Sequence, residues 1–233
     1  MRNLRRSRSA LVAASLLGAL VLTGCGQTTS TPSPQNTDQA YPATVQAGNG
    51  TVTIPAAPKK IVSLSPTATE MLYAIGAGKQ VVAVDDQSNH PADAPKTKLS
   101  GFKPNAEAVI DYAPDLVVLS NDTDGIVKAL QAVKIPVLVE PAATSLDDTY
   151  DQLADLGTAT GHSDEAEKVA SGMKKAIADT VAATPKPAKP LSYYHELDNT
   201  FYSATSKTFV GSVYSLFGLR NIADPADKQG GGY

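Results

Sequence analysis

The sequence of 233 residues contains no tryptophan, a single cysteine, three histidines and, beyond residue 8, a single arginine, Arg220. A lone cysteine forms no intramolecular disulfide, iron–sulfur cluster or cysteine-based zinc site. His90, His162 and His195 lie far apart in the chain, which weighs against direct capture of a bare transition metal. His162 stands at a helix end, where surface capping is the plainer reading. Without tryptophan there is no indole to lay against a large flat ligand, and with one arginine there is little to clamp a carboxylate-rich one. No uncharged apolar run reaches the ~20 residues that cross a bilayer as a helix. Basic charge is scarce in the body of the chain: residues 25–233 hold 16 basic against 23 acidic side chains, a net of −7. Such a surface repels phosphate backbones, so nucleic acid is excluded as a partner. What is present, 42% hydrophobic and 18% charged residues, is the composition of a chain that folds around a core.

The first 40 residues differ from the rest. Arg2, Arg5, Arg6 and Arg8 are followed by thirteen uncharged residues, Ala10 to Leu22, and then by Leu22-Thr23-Gly24-Cys25. A basic start, a short apolar stretch and small residues at a cut site are the parts of an export signal, assigned to residues 1–24. The only cysteine, directly after a Leu-x-Gly step, resembles the lipobox of bacterial lipoproteins. That resemblance implies a diacylglycerol on Cys25 and a protein held at the outer face of the cell membrane. Arg5-Arg6 leaves the choice between general and twin-arginine export open. Residues 25–42 are polar in their first two thirds, lack aliphatic anchors there and read as a flexible tether.

From Ala43 the pattern changes. Gly48-Asn49-Gly50 between two alternating segments predicts a β-hairpin. Ile61–Leu64, Val81–Val84, Leu116–Leu119 and Pro136–Val139 are apolar at consecutive positions, as strands buried on both faces must be. Helices fall between them. Ser65 caps the first, Pro66 suits its opening turn, and Ala68, Met71, Leu72 and Ile75 keep helical spacing. Asn105 opens a second, and residues 126–133 form a third. Alternating strands and helices give an α/β lobe with a parallel, doubly wound sheet over residues 43–162. After a helix from about Leu146 to Thr160, residues 163–184 read as one long helix with Ala166, Val169, Ala170, Met173, Ala176, Ile177 and Val181 on one stripe. Pro185, Pro187 and Pro190 break it. One strand, Leu191–Leu197, and one helix, Phe209–Gly218, follow within residues 190–233, too little to cover both faces of a sheet, so the second lobe is expected to be incomplete.

Lys60-Ile-Val-Ser-Leu-Ser-Pro-Thr-Ala-Thr-Glu70, Ala113-Pro-Asp-Leu-Val-Val, the long helix and Gly218-Leu-Arg-Asn-Ile-Ala223 occur in that order. With the lipobox they resemble the substrate-binding lipoproteins of iron-siderophore and cobalamin ABC importers, over about Pro55 to Asp224. The resemblance implies a bilobal periplasmic-binding-protein fold of the class III type, its lobes joined by the 163–184 helix. It implies a metal chelate (an iron-siderophore or a corrinoid) held between the lobes, delivery to an ABC permease, no cofactor, no catalysis and a monomeric chain. The rival readings are a membrane-tethered hydrolase and a bare zinc or manganese binder. Gly76-Ala-Gly78-Lys79 is a decoy, since it follows a helix and has Gln80 where a phosphate loop needs Ser or Thr. No Gly-x-Ser-x-Gly elbow occurs.

Ligands of open α/β sheets bind outside the carboxyl ends of strands. Those ends carry Ser65, Pro66 and Thr67, then Asp86, then Asn121. Ser65 stands where helix amides favour an anionic group, and equally where plain capping would place it. Phe102 offers an apolar face in a loop, and Tyr194, Glu196 and Tyr202 supply the facing wall. The resemblance further implies that acidic side chains meet permease arginines, for which Asp122 and Asp124 are the nearest match. Replacing Cys25 by serine is expected to abolish fatty-acid labelling and move the protein from the membrane to the soluble fraction. Labelling that persists in the serine variant excludes the anchor.

Overall fold

Alternation decides the first element of the fold. In β1 (Ala43–Ala47) and β2 (Gly50–Ile54), Ala43, Val45, Val52 and Ile54 turn inward while Thr44, Gln46, Thr51 and Thr53 face water. They pair antiparallel with Ala47 opposite Gly50, the hairpin expected at Gly48-Asn49. This computed structural model describes residues 40–228; the export signal, Cys25 and most of the tether lie outside the described residues. Among the described residues, packing is already made at Tyr41, whose hydroxyl donates to the Ala159 carbonyl at 3.1 Å.

Five parallel strands form the central sheet in the order β5-β4-β3-β6-β7. They are β3 (Ile61–Leu64), β4 (Val81–Asp85), β5 (Lys96–Leu99), β6 (Leu116–Leu119) and β7 (Val137–Val139). β3, β6 and β7 are buried at every residue, so both faces need cover. On one face, α1 (Pro66–Ala74), α4 (Leu146–Thr160) and the hairpin enclose Ile61, Leu72, Leu116, Leu138 and Leu156; on the other, α2 (Ala106–Ile110) and α3 (Ile126–Ala132) enclose Val62, Leu64, Val117 and Leu130. β5 escapes the apolar pattern because Lys96-Thr97-Lys98 lies at the sheet edge, where only Leu99 is buried. The opposite edge is sealed by the hairpin turn. The Gly48 amide donates to the Val139 carbonyl at 2.7 Å, and Asn49 bonds both the Val137 carbonyl and the Val139 amide at 3.0 and 3.1 Å. A side chain at 48 would sit 2.7 Å from the Pro141 ring, which requires glycine there.

Helix α5 (Ser163–Ala183) has 21 residues and a rise of about 32 Å. Its first half packs on the lobe through Ala166, Val169, Ala170 and Met173. Gly157 of α4 permits that approach, since a Cβ there would lie 2.6 Å from that of Ala166. Lys174 of α5 stands 4.5 Å above the Tyr150 ring of α4. The second half turns Ala176, Ile177 and Thr180 toward Val213, Leu216 and Phe217 of the following segment. His162, at the α4–α5 junction, is buried rather than superficial, its Nδ1 3.0 Å from the Thr160 carbonyl.

Beyond the proline break the chain forms short pairs. β8 (Ser192–Tyr193) runs parallel to β11 (Arg220–Asn221), and β9 (His195–Glu196) pairs antiparallel with β10 (Ser203–Ala204). The single strand expected over Leu191–Leu197 is thus divided at Tyr194, where the backbone changes partner. Between them lies α6 (Phe209–Ser215), capped by Thr208 and held by Tyr214, whose ring is 4.3 Å from that of Tyr193 and whose hydroxyl is 3.0 Å from His195 Nδ1. Leu156, fully buried in the larger cluster, tests the packing of α4. Leu156→Ala is expected to cost about 2–5 kcal/mol of stability, read as a fall in the urea midpoint; a change below about 1 kcal/mol would contradict this account of the core.

Candidate functional site

The first βα connection, β3 to α1 to β4, moves to one side of β3, and the chain later returns to the other side as β6. At that reversal the loops leaving β3 and β6 diverge and open a crevice. A cleft of about 500 Å³ lies there. Its floor is Ser65, Pro66 and Thr67 after β3, with Ser120 after β6 and Glu140-Pro141 after β7. Met71 of α1 and Thr149 and Gln152 of α4 complete this side, and Phe209, the first residue of α6, stands across from it.

Local hydrogen bonding fixes the floor. Ser65 is extended and accepts the Ala68 amide at 3.4 Å, with Pro66 at the start of the helix where no amide donor is needed. A buried chain of polar groups runs beneath it. Thr69 Oγ1 donates to Ser63 Oγ and meets Ser88 Oγ, each at 2.9 Å, and the Ser88 amide donates to the Asp85 carboxylate at 3.1 Å. The ends of β3 and β4 are thereby locked together.

Glu140 is the anomaly of the cleft. Its amide donates to the Leu119 carbonyl at 2.8 Å, and Gln152 Nε2 donates to the next carbonyl, that of Pro141, at 2.6 Å. The backbone is pinned, yet the carboxyl Oε1 is buried without a hydrogen-bond partner and the residue is only 8% exposed. Burial, and then the charge of Asp155, push its pKa up from 4.5 to about 8. Asp155 on α4 is itself raised to about 6, by burial and by Asp151.

Of the residues expected to bind ligand, Ser65, Pro66 and Thr67 line this cleft together. Asp86, Phe102, Asn121, Tyr194, Glu196 and Tyr202 are not among its lining residues. Asp86 is exposed and accepts from Gln87; Phe102 is 74% exposed; Asn121 is held by Ser120 and Thr123. Tyr194 donates to the Phe201 carbonyl at 2.9 Å, while Glu196 and Tyr202 lie exposed around the β9–β10 pair. Sequence reading missed Glu140, Gln152 and Phe209. Glu140 was legible as a carboxylate at a strand's carboxyl end, and Phe209 as the first residue after the Thr208 cap. Asp122 and Asp124 are exposed on the turn after β6, where Asp122 also caps α3 by accepting the Val127 amide at 3.0 Å. Among the described residues no group of three or more His, Cys, Asp or Glu is placed to hold a metal ion, and no helix is long and apolar enough to cross a membrane.

A parallel α/β lobe, a long helix leading out of it and a cleft at the strand ends define a ligand-capturing protein of the class III periplasmic-binding type. Residues 61–233 match the family described as Periplasmic binding protein, and the chain belongs to it. An uncharacterized ABC transporter substrate-binding lipoprotein of Bacillus subtilis, YvrC, is 33% identical over 97% of this chain and 75% of its own length. A cobalamin-binding protein of Halobacterium salinarum is 31% identical over 94% of this chain and 62% of its own. The chain thus spans about three fifths of that relative. Among solved structures, a possible iron-binding (periplasmic solute-binding) protein of Staphylococcus epidermidis superposes with a TM-score of 0.65 at 25% identity, over 71% of this chain and 67% of that one.

The Glu140 carboxyl links the cleft to stability. Between pH 4.5 and about 8 the unfolded chain releases a proton that the folded chain retains. Stability therefore falls as pH rises through that window. Glu140→Gln is expected to remove part of this slope, so that its urea midpoint exceeds that of the wild type at pH 9 by more than at pH 5. Parallel pH profiles for the two proteins would refute the assignment.

Proposed function

We propose that this chain captures a metal chelate for an ABC importer, holding it between its lobes at the β3/β6 crevice and passing it to the permease unchanged. The observation that carries this reading is the cleft itself: a pocket at the reversal of strand order, with Phe209 of the second lobe facing the first. Its volume is in the range of small-molecule sites. The name of the Halobacterium relative supports a corrinoid as the chelate; the Staphylococcus structure favours a ferric chelate as the second reading. In the absence of indoles, Phe209 supplies the aromatic surface.

In this reading residues 1–24 direct export and Cys25 carries the lipid that holds the protein on the outer face of the membrane. Residues 25–42 form the tether, of which Tyr41 already packs on the first lobe, 43–162 form that lobe, 163–184 the connector and 190–233 a part of the second lobe. Because α5 is a continuous hydrogen-bonded rod contacting both lobes, capture proceeds with little hinge motion. Asp122 and Asp124, exposed beside the cleft on the turn after β6, are the side chains offered to permease arginines. The protein acts as a monomer and not as an enzyme.

The purified full chain, mixed separately with cyanocobalamin, haem and ferric siderophores and passed through gel filtration, is expected to carry the visible absorbance of cyanocobalamin with it. Co-elution of a ferric siderophore alone would transfer the assignment to the second reading. Co-elution of none would overturn both.

A further inference from the structure

An acid in the lining of the cleft with a buried, unused oxygen carries a desolvation cost that a hydrogen-bonding ligand group would relieve. Glu140 makes no side-chain hydrogen bond that would account for its burial. Its own amide is tied to Leu119 and the next carbonyl, that of Pro141, to Gln152, so the residue is fixed in the cleft lining while its buried Oε1 remains unpaired. The other groups around it do not supply a counter-charge. The hairpin packed on Pro141 has no ionisable residue, and β6 has none. On α1 the ionisable residues are Glu70, which is exposed, and Tyr73. On α4, Asp155 acts on Glu140 and Asp151 acts on Asp155, both in the sense that disfavours an anion. The pocket therefore keeps a neutral carboxyl, a group with one O–H donor and one carbonyl acceptor. Rotation about its last side-chain bond is broad and two-fold, so either oxygen can be turned to the cleft.

That donor–acceptor pair is the complement of a primary carboxamide, which presents a carbonyl oxygen and N–H groups side by side. It is a poor match for a carboxylate, which would have to share a desolvated site with a second acid. We propose that Glu140 is a specificity-determining ligand contact, its carboxyl hydrogen-bonding a neutral carboxamide on the ligand's rim and turning away ligands rimmed by carboxylates. The inference rests on the corrinoid reading above and deepens it, since the corrin ring of cobalamin is fringed by carboxamides whereas haem carries propionates.

The test measures affinity of the full chain for cyanocobalamin and for cobyrinic acid, the ring bearing carboxylates in place of amides, at pH 6.5 and pH 9. Wild type is expected to prefer cyanocobalamin and to bind it several-fold more weakly at pH 9, where the donor proton is lost. Glu140→Gln keeps a donor and an acceptor at both values, so its affinity is expected to be flat with pH. Glu140→Leu, of similar size, is expected to weaken cyanocobalamin binding about tenfold at pH 6.5, the equivalent of about 1.4 kcal/mol, and to narrow the preference over cobyrinic acid. Circular dichroism establishes that each variant is folded, and the glutamine variant decides the matter should the leucine variant unfold. Equal, pH-independent affinity in wild type and Glu140→Gln overturns the role of Glu140 and leaves the corrinoid reading standing. Absence of binding to either corrinoid by the wild type overturns both.

Discussion

The fold depends on one constraint: a strand buried on both faces, with parallel neighbours on both sides, can be reached only by crossovers that diverge. β3 is that strand. Its four residues are all buried, β4 and β6 flank it in parallel, and the chain reaches them by different routes. The crevice is a consequence of that routing, since no crossover covers the point where the two routes separate. Ser65, Ser120 and Glu140 are functional candidates by position before any chemistry is considered, because each is the first residue beyond a strand's carboxyl end or next to it. The buried Ser63–Thr69–Ser88–Asp85 chain then makes the position rigid, tying two strand ends by side chains rather than by loop packing.

Much of this was legible in the sequence, and the reasons are specific. Uninterrupted runs such as Leu116–Leu119 mark central parallel strands, the Ser65-Pro66 pair marks a helix start, and the 163–183 stripe marks a long amphipathic rod. β5 was illegible because an edge strand has only one buried side chain to betray it, and Lys96-Thr97-Lys98 resembles a loop. The division at Tyr194 was hidden for a different reason: two-residue pairs are set by which backbone lies alongside, and that is a tertiary fact. For the cleft, chemistry at the strand ends identified Ser65, Pro66 and Thr67, but the aromatic residues were chosen by type. Exposure separates Phe102, on a loop tip, from Phe209, which faces the crevice from a helix start. Glu140 was visible as a carboxylate at a strand end, but what sets it apart from other such residues lies around it, a backbone satisfied on each side and an acidic helix behind.

The two halves of α5 do different work. Ala166, Val169, Ala170 and Met173 join the first lobe's core, and only the later turns meet α6. A helix clamped over its first half transmits rotation from one end to the other with little bending, so Phe209 is positioned relative to the Ser65 floor by a stiff lever. In the proposed function such a cleft discriminates by fit and by wall chemistry, with little contribution from large closing movements.

The hairpin turn also sets the order in which the lobe can be assembled. Asn49 bonds a residue 90 positions later, so the earliest-synthesised piece of the lobe completes its border only after nearly every strand has been made. Contacts between such distant stretches slow folding, because a long loop must be closed before its bonds return any free energy. Until then β7 offers an unpaired edge to any neighbouring chain, and Gly48 and Asn49 are the last stitch that withdraws it.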